Sequence, residues 1–526
     1  MRQLVALILC AMGIAACGGG SGAPRDAGVD LGAVGMGTRL VAGDVDVAGV
    51  TSDGWVAVHD WQRGALAVPL AGGEPRLIDG AADSVYAVGD TIFVYTNWDF
   101  ATDVGDISVW TAAYREQPLA VASEGVLAYS DDASRLLATR DTSPDGTSTT
   151  VILSGVDGGP AKVIGAAART PGCYPRAQYG AGTFVVARCE PLSTTIDLTA
   201  VDAKTGDVTV LATDVEPSFA IVGDAVAAIH SDGVAWLFPR SGFARPLASD
   251  VDAVVATPDG ALLVRSRGAI SRVSLDGSPA VKLVTGGAEV IRDVSPDGAW
   301  LLYRTTIGPR HGYGDLLATS ARGPSAPVTL SAGPDATTFG SAFTSDSLRV
   351  LYITDADDVF TGTLHARRRS GDGEATTLGT GVWSALAYAD TRVVFLSDYS
   401  PVPEGRGRGV LRAADTASAG APIVLATAVG GAFMLTPRGD AVVYSVNDGT
   451  ERAGLYVTPL PGGVARPLDG GAHDGGGSGD ALDGGGSVDA PQESAPEGGA
   501  DAAVDADADA DVDTPAPDGA DGDAGD

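Results

Sequence analysis

Four segments of the sequence bring aromatic, basic and acidic side chains within a few residues of one another. Aromatic rings supply apolar contact area and the neighbouring charges supply hydrogen bonds, a combination that suits recognition of a protein or a sugar. For each residue the alternative is an ordinary solvated loop. The side chains that we predict to form a binding face are Trp98, Asp99, Phe100, Arg310, His311, Tyr313, Asp357, Phe360, Tyr399 and Arg406.

Two of these segments also concentrate carboxylates. Calcium takes six to eight oxygen ligands, and such groups could supply some of them. Neither group has EF-hand spacing, so solvated acidic loops are the favoured interpretation, and we expect no cofactor. The two groups are Asp99, Asp103 and Asp106, and Asp355, Asp357 and Asp358.

Motifs for catalysis are missing from the sequence. It contains no G-x-S-x-G nucleophile elbow, no H-E-x-x-H and no P-loop, and its 5 histidines are far apart. We therefore expect a protein that is not an enzyme. The alternative is a lyase or hydrolase acting on glycans or peptides.

A repeat of about 43 residues organises the chain between residues 38 and 468, which is the length of one four-stranded propeller blade. Each copy contains a short apolar strand, a tight turn, and a second strand so continuously apolar that both of its faces must be covered. The clearest turn is Ser-Pro-Asp-Gly at 295–298. The copies are marked by turns near Thr51, Ala87, Tyr129, Tyr179, Ile221, Thr257, Ser295, Thr344, Tyr388 and Thr436.

The Ser-Pro-Asp-Gly turn, the apolar strand after it and a later Leu-x-Gly-Gly hairpin, as at 460–463, resemble the TolB-type, WD-repeat-like β-propeller family. The resemblance implies an all-β fold, a β-propeller of about ten four-stranded blade repeats, arranged as one large ring or as two smaller rings. Segment 38–41 is similar to an outermost strand and is predicted to close a ring onto the last blade. For an enzyme, the site would then lie in the central channel.

In any propeller the connections between second and third strands emerge on one face. These connections vary in length here, and variable loops on a rigid scaffold are where binding is usually found. The family's members bind proteins, peptides or glycans, so we expect an envelope protein, peptide or glycan as the partner.

The first residues are typical of an export signal, because Arg2 precedes an apolar run that ends at Ala16. The segment Ile-Ala-Ala-Cys at 14–17 resembles the lipobox of bacterial lipoproteins. We predict a signal peptide over 1–16, lipidation of Cys17 and a flexible Gly-rich tether to residue 37. This places the protein in a bacterial cell envelope, at the outer membrane or cell surface. An ordinary cleaved signal is the alternative.

Cys173 and Cys189 are the cysteines outside the signal and the lipobox. In an oxidising compartment they could form a disulfide, with two buried thiols as the alternative.

The net charge of −33 is unevenly distributed. Residues 469–526 hold 15 Asp and 2 Glu with no Lys or Arg, so this Asp-, Ala- and Gly-rich tail carries −17 and is predicted to be disordered. The rest of the chain carries the remaining −16. Because nucleic-acid binding needs basic patches, this charge argues against nucleic acid as a partner.

Overall fold

The computed structural model describes residues 37–99, 102–113, 117–145, 147–169, 174–189, 196–240, 243–305, 314–332, 339–355, 361–388, 391–400, 407–418 and 420–461. Within these ranges the regular elements are β-strands that pair in antiparallel fashion. This part of the chain contains no helix long and apolar enough to cross a membrane. The predicted signal peptide, Cys17, the tether and the acidic tail lie outside the described residues.

Twenty strands occupy the first half of the chain. They are β1 (Thr38–Ala42), β2 (Val45–Val50), β3 (Trp55–Asp60), β4 (Gly64–Pro69), β5 (Arg76–Asp79), β6 (Ala82–Val88), β7 (Thr91–Asp99), β8 (Val104–Trp110), β9 (Gln117–Ser123), β10 (Val126–Tyr129), β11 (Arg135–Arg140), β12 (Ser148–Gly155), β13 (Lys162–Ala168), β14 (Arg176–Gly180), β15 (Thr183–Cys189), β16 (Ile196–Asp202), β17 (Val208–Val222), β18 (Ala225–His230), β19 (Ala235–Pro239) and β20 (Arg245–Ala248).

The second half continues the same pattern. Its strands are β21 (Ala253–Ala256), β22 (Leu262–Ser266), β23 (Ala269–Val273), β24 (Val281–Val284), β25 (Ala288–Val294), β26 (Trp300–Thr305), β27 (Leu316–Ser320), β28 (Val328–Ser331), β29 (Phe339–Phe343), β30 (Arg349–Thr354), β31 (Gly362–Arg368), β32 (Thr376–Val382), β33 (Ser384–Tyr388), β34 (Arg392–Ser400), β35 (Arg408–Asp415), β36 (Ile423–Leu435), β37 (Ala441–Val446) and β38 (Gly454–Pro459).

The strands form ten four-stranded blades. Blades 1, 2 and 3 are β2–β5, β6–β9 and β10–β13, and blades 6, 7 and 8 are β21–β24, β25–β28 and β29–β32. The long strand β17 ends blade 4 (β14–β17) and also begins blade 5 (β17–β20), because its two parts pair with β16 and with β18. In the same way β36 ends blade 9 (β33–β36) and begins blade 10.

Strand β1 completes blade 10 as its outermost strand, by pairing with β38. The closure predicted for segment 38–41 is therefore confirmed. Val41 of β1 is 6% exposed and lies in a hydrophobic cluster with Val443 and Leu455 of blade 10 and Val45 and Val47 of blade 1. Blade 10 thus packs directly on blade 1.

Ten such clusters occur, one between each pair of consecutive blades. Because the series runs from blade 1 to blade 10 and back to blade 1, the blades form one ring, and the two-ring alternative is excluded. Typical propellers have four to eight blades, so this ring is large.

The second strands explain why the blades stack. In β15 every side chain from Thr183 to Cys189 is buried, and in β3 all but the first are buried. Blades on both sides cover these strands, as their continuous apolar sequences predict. At six of the ten junctions the first strands of neighbouring blades touch, which places these strands on the inner side of the ring. Several outermost strands instead carry exposed apolar side chains, such as Leu77 and Val121.

The two faces of the ring differ in construction. We call the end with the first-to-second turns and third-to-fourth hairpins the turn face, and the opposite end the loop face. On the turn face, Ser295 donates its hydroxyl to Asp297 Oδ1 (2.5 Å) and accepts from the Trp300 amide (2.9 Å). The same hydroxyl–carboxylate bond recurs from Thr51, Ser130, Thr257, Thr344 and Thr436.

Asp297 also links two blades. Its Oδ2 accepts a hydrogen bond from Arg369 Nη1 of blade 8 (2.8 Å), and its amide donates to Ser347 Oγ of the same blade (3.0 Å). Burial raises the pKa of the Asp297 carboxyl, but hydrogen bonds from Arg369, Ser295 and the Ala299 amide outweigh it and lower the pKa to about 2. The ionised carboxylate is therefore part of the turn face.

We expect Asp297→Asn to lower the free energy of unfolding at neutral pH by about 1 kcal/mol, a figure reduced because the side chain is partly exposed and screened. The folded-state pKa lies below the unfolded value of about 3.9. The stabilisation is therefore present above about pH 4 and lost as the pH falls towards 2.

Thermal unfolding of both proteins followed from about pH 7 to pH 2 measures this effect, and the difference between them should shrink on acidification. Asp131→Asn, which removes an exposed carboxylate that makes no ion pair within the described residues, is the control. A difference between wild type and Asp297→Asn that stays constant down to pH 2 would contradict the prediction.

Candidate functional site

Three of the ten predicted binding residues fall within the described ranges, and all three lie on the loop face. Trp98 and Asp99 are the last residues of β7, and Tyr399 is next to last in β34. For the other seven the prediction stays a prediction. The residues outside the described ranges are Phe100, Arg310, His311, Tyr313, Asp357, Phe360 and Arg406.

Trp98 packs inward at the end of blade 2. Its ring meets that of Tyr95 edge to face, with centroids 5.1 Å apart, and its backbone amide donates to Asp83 Oδ2 (2.8 Å). Beside it Asn97 adopts a positive φ of 53° and donates to Asp106 Oδ2 (2.8 Å). These contacts fix the loop to the cluster between blades 2 and 3.

The acidic segment around Asp99 is held by local hydrogen bonds. Asp99 Oδ2 accepts from the Thr102 hydroxyl (3.0 Å), and Asp106 Oδ1 accepts from the Ala122 amide (3.1 Å). Across the described residues no group of three or more His, Cys, Asp or Glu side chains is arranged to hold a metal ion. Asp357 and Asp358, of the second acidic segment, lie outside those residues.

Tyr399 forms one half of an aromatic pair on the loop face of blade 9. Its ring stacks on that of Trp383, with centroids 4.7 Å apart and planes 23° from parallel. Trp383 directly precedes β33, and its amide donates to the Leu396 carbonyl (2.9 Å), which holds it against the strand that ends in Tyr399. Both rings are partly buried against the cluster between blades 9 and 10.

Asp46 lies beside this pair, in the first strand of blade 1. Its Oδ1 accepts from Asn447 Nδ2 of blade 10 (2.9 Å), and its Oδ2 accepts from Trp61 Nε1 of blade 1 (2.8 Å). Trp61 is 43% exposed and meets the His59 ring edge to face at 4.6 Å. The carboxylate is therefore held between blades 10 and 1, where the ring closes.

Asp46, Trp61, Trp383, Tyr399 and Asn447 will be called the seam cluster. Burial raises the pKa of the Tyr399 hydroxyl; a hydrogen bond from the Gly407 amide opposes this, and the negative charge of Asp46 adds to it. Tyr399 is therefore a neutral donor at physiological pH. The cluster joins a stacked aromatic pair, an exposed indole, a fixed carboxylate and an amide from three blades.

Two glycines, Gly430 and Gly431, allow side chains of the seam cluster to approach the backbone of β36 closely. A Cβ on Gly431 would lie 3.3 Å from Tyr399 Oη and 3.9 Å from Trp383 Nε1, so the polar edges of both rings converge on bare backbone. A Cβ on Gly430 would lie 2.9 Å from the Ser445 hydroxyl oxygen. Ser445 Oγ and Asn447 Oδ1 are buried, and neither has a hydrogen-bond partner among the described residues.

Sequence reasoning found Tyr399 and missed the other members of the seam cluster. It concentrated on four second-to-third connections, whereas Trp61 occupies the short connection 61–63, Asn447 occupies 447–453, which was not among the four, and Trp383 lies in a connection between blades. An aromatic residue directly beside a strand end on the loop face was the available signal. The meeting of blade 10 with blade 1 could not be read from neighbouring residues.

Cys189 ends β15 and is 1% exposed. It forms a disulfide whose partner lies outside the described residues. The predicted pairing with Cys173 stays a prediction.

A cavity of about 20 Å³ lies between blades 4 and 5, away from the seam cluster. Ile221, Phe238 and Arg240 contribute to its lining. Because that volume accommodates little more than one water, we place the site by side-chain chemistry and not by this cavity.

Gly407→Ala should separate the aromatic pair, because a Cβ at this position would overlap the Tyr399 phenol. We expect the near-ultraviolet circular dichroism of the stacked rings to weaken and the free energy of unfolding to fall by about 1–3 kcal/mol. Gly323→Ala is the matched control, since its Cβ would meet no atom within 4 Å. Equal spectra and stabilities for the two variants would refute the assigned geometry.

No protein-family model and no curated protein matches the sequence. Solved structures similar to the chain include the tricorn protease, at 12% identity over 81% of this chain and 52% of that chain with a TM-score of 0.29. BamB from Moraxella catarrhalis matches at 12% identity over 60% and 93% with a TM-score of 0.35. The β-propeller domain of the Trilobed protease from Pyrococcus furiosus matches at 10% identity over 66% and 97% with a TM-score of 0.34.

The chain spans about half the length of the tricorn protease chain that it matches. Similarities this weak carry no function to the chain. Its ten stacked four-stranded blades, closed by β1, are those of a β-propeller.

Proposed function

We propose that the protein is a non-enzymatic binding scaffold of a bacterial cell envelope, with a loop face that recognises an envelope protein, peptide or glycan. The observation that carries the proposal is the seam cluster, in which Trp383 and Tyr399 stack beside the fixed carboxylate of Asp46. Aromatic side chains combined with a few well-placed polar groups are typical of binding sites.

The difference between the two faces supports the same proposal. Contacts between blades hold the turn face, as when Arg369 binds Asp297 and Arg272 Nη1 donates to the Ala321 carbonyl (3.3 Å). The loop face carries the seam cluster and the predicted binding residues. A rigid scaffold that presents variable loops at one end is suited to recognition.

The direction of β1 gives the side of the ring on which the N-terminal segment joins it. Thr38 pairs with Val457 and Ala42 pairs with Gly454, so β1 runs from the turn face towards the loop face. The chain therefore enters the ring from the turn-face side. A segment that leads to an anchor at Cys17 would therefore leave the ring on the turn-face side.

Cys17→Ser should release the protein from the membrane, because the thiol that would carry the lipid is removed. We expect the wild-type chain to be recovered in the detergent-soluble membrane fraction and the variant in the soluble fraction, or as uncleaved precursor. Incorporation of radiolabelled palmitate should be lost in the variant. Labelling and membrane recovery that match the wild type would rule out the anchor.

For the binding face, the full chain can be used to capture partners from envelope extracts. We expect the double variant Trp383→Ala, Tyr399→Ala to recover at least tenfold less of the bound component than the wild type. Trp300→Ala, which removes a partly buried indole at the turn-face end of β26, is the matched control and should recover a normal amount. Equal recovery by all three proteins would refute the proposal.

A further inference from the structure

We infer that the seam cluster is a saccharide site that takes one uncharged sugar ring of a glycan. The inference rests on the proposed function of the loop face and names the chemistry of its ligand. It follows from the flat aromatic pair, from the polar groups at its edge and from the charge of the chain.

The aromatic pair consists of two stacked, partly buried rings, so the surface it can offer a ligand is the outer face of the stack. Trp383 and Tyr399 lie 23° from parallel, and the residues beside their polar edges include Gly431, which adds no side chain. The ring of a pyranose has an apolar face of C–H groups, which packs on such a surface. Trp61, which is 43% exposed and bonded to Asp46 through Nε1, adds a further aromatic ring beside that carboxylate.

The polar groups beside these surfaces suit hydroxyls, which both donate and accept hydrogen bonds. Asp46 is held in place by Asn447 and Trp61, and each oxygen of an ionised carboxylate can accept a further bond. Asn447 and Ser445 are 6% and 1% exposed, and Asn447 Oδ1 and Ser445 Oγ lack partners among the described residues. Buried polar atoms are rarely left unpaired, so these two atoms have unused hydrogen-bonding capacity beneath the surface beside Asp46.

Charge decides between classes of ligand. Apart from the tail, the chain carries 34 basic and 50 acidic residues, and the one ionised member of the seam cluster is Asp46, so an anionic sugar would be repelled. A cationic peptide is less suited, because rings that recognise ammonium groups usually enclose them from several sides. Trp383 and Tyr399 instead stack on each other and form no such enclosure.

Calorimetric titration of the full chain tests the inference with four probes: cellotetraose, chitotetraose, tetragalacturonate and tetralysine. We expect binding of at least one of the two neutral tetrasaccharides and none of tetragalacturonate. Trp383→Ala should weaken this binding at least tenfold, whereas Trp300→Ala should leave it unchanged. Trp383→Phe keeps a flat ring and should restore most of the affinity, which separates loss of the surface from misfolding.

Asp46→Asn should also weaken binding at least tenfold, because its NH2 group would face one of the two donors, Asn447 Nδ2 or Trp61 Nε1, which now bind different carboxylate oxygens. Thermal midpoints measured for each variant show whether the ring is still folded. Stronger binding of tetralysine or tetragalacturonate than of either neutral probe would overturn the inference. So would sugar binding that Trp383→Ala does not change.

Failure of the saccharide inference can be distinguished from failure of the proposed function. If neither neutral tetrasaccharide binds but capture from extracts still depends on Trp383 and Tyr399, the saccharide inference fails and the binding face stands. If that capture is also independent of the seam cluster, both fail.

Discussion

The structure depends on the burial of both faces of each second strand between two neighbouring blades. A single blade would leave half of this apolar surface in water, so no blade can be stable alone, and a series must close or be capped. Closure is achieved by β1, which pairs with β38 and places Val41 in the cluster that joins blade 10 to blade 1. The first residues of the ring are thereby fixed to its last blade.

Closure also creates the candidate site. Asp46 begins the ring and Asn447 ends it, and their hydrogen bond spans 401 residues of sequence at a distance of 2.9 Å. Trp383 and Tyr399 come from blade 9. Blade 9 packs on blade 10, and blade 10 packs on blade 1, so residues at the loop-face ends of all three blades come together. The groups are therefore positioned by the stacking of three blades, with glycines at 430 and 431 permitting close approach.

The turn face illustrates how far local sequence can be used. The Ser-Pro-Asp-Gly turn at 295–298 is recognisable because proline, aspartate and glycine each favour one position of a tight turn. The same hydroxyl–carboxylate bond also forms at Ser130 and Thr344, where the sequence lacks proline and glycine. What these turns share is a buried hydroxyl two residues before an aspartate, or four residues before it at Thr436, a weaker pattern that becomes evident once the bonds are seen.

Sequence alone determined the class of fold, the number of blades and the closing strand, because repeat length, turn residues and continuous apolar runs are local properties that recur. It also predicted Tyr399 as a candidate residue, and the structure places Tyr399 on the loop face. Only the tertiary structure decided that the ten blades form one ring, since that depends on contacts between blades 10 and 1. It alone brought Asp46, Trp61, Trp383 and Asn447 to Tyr399, because residues that are distant in sequence become neighbours through packing and not through local preference.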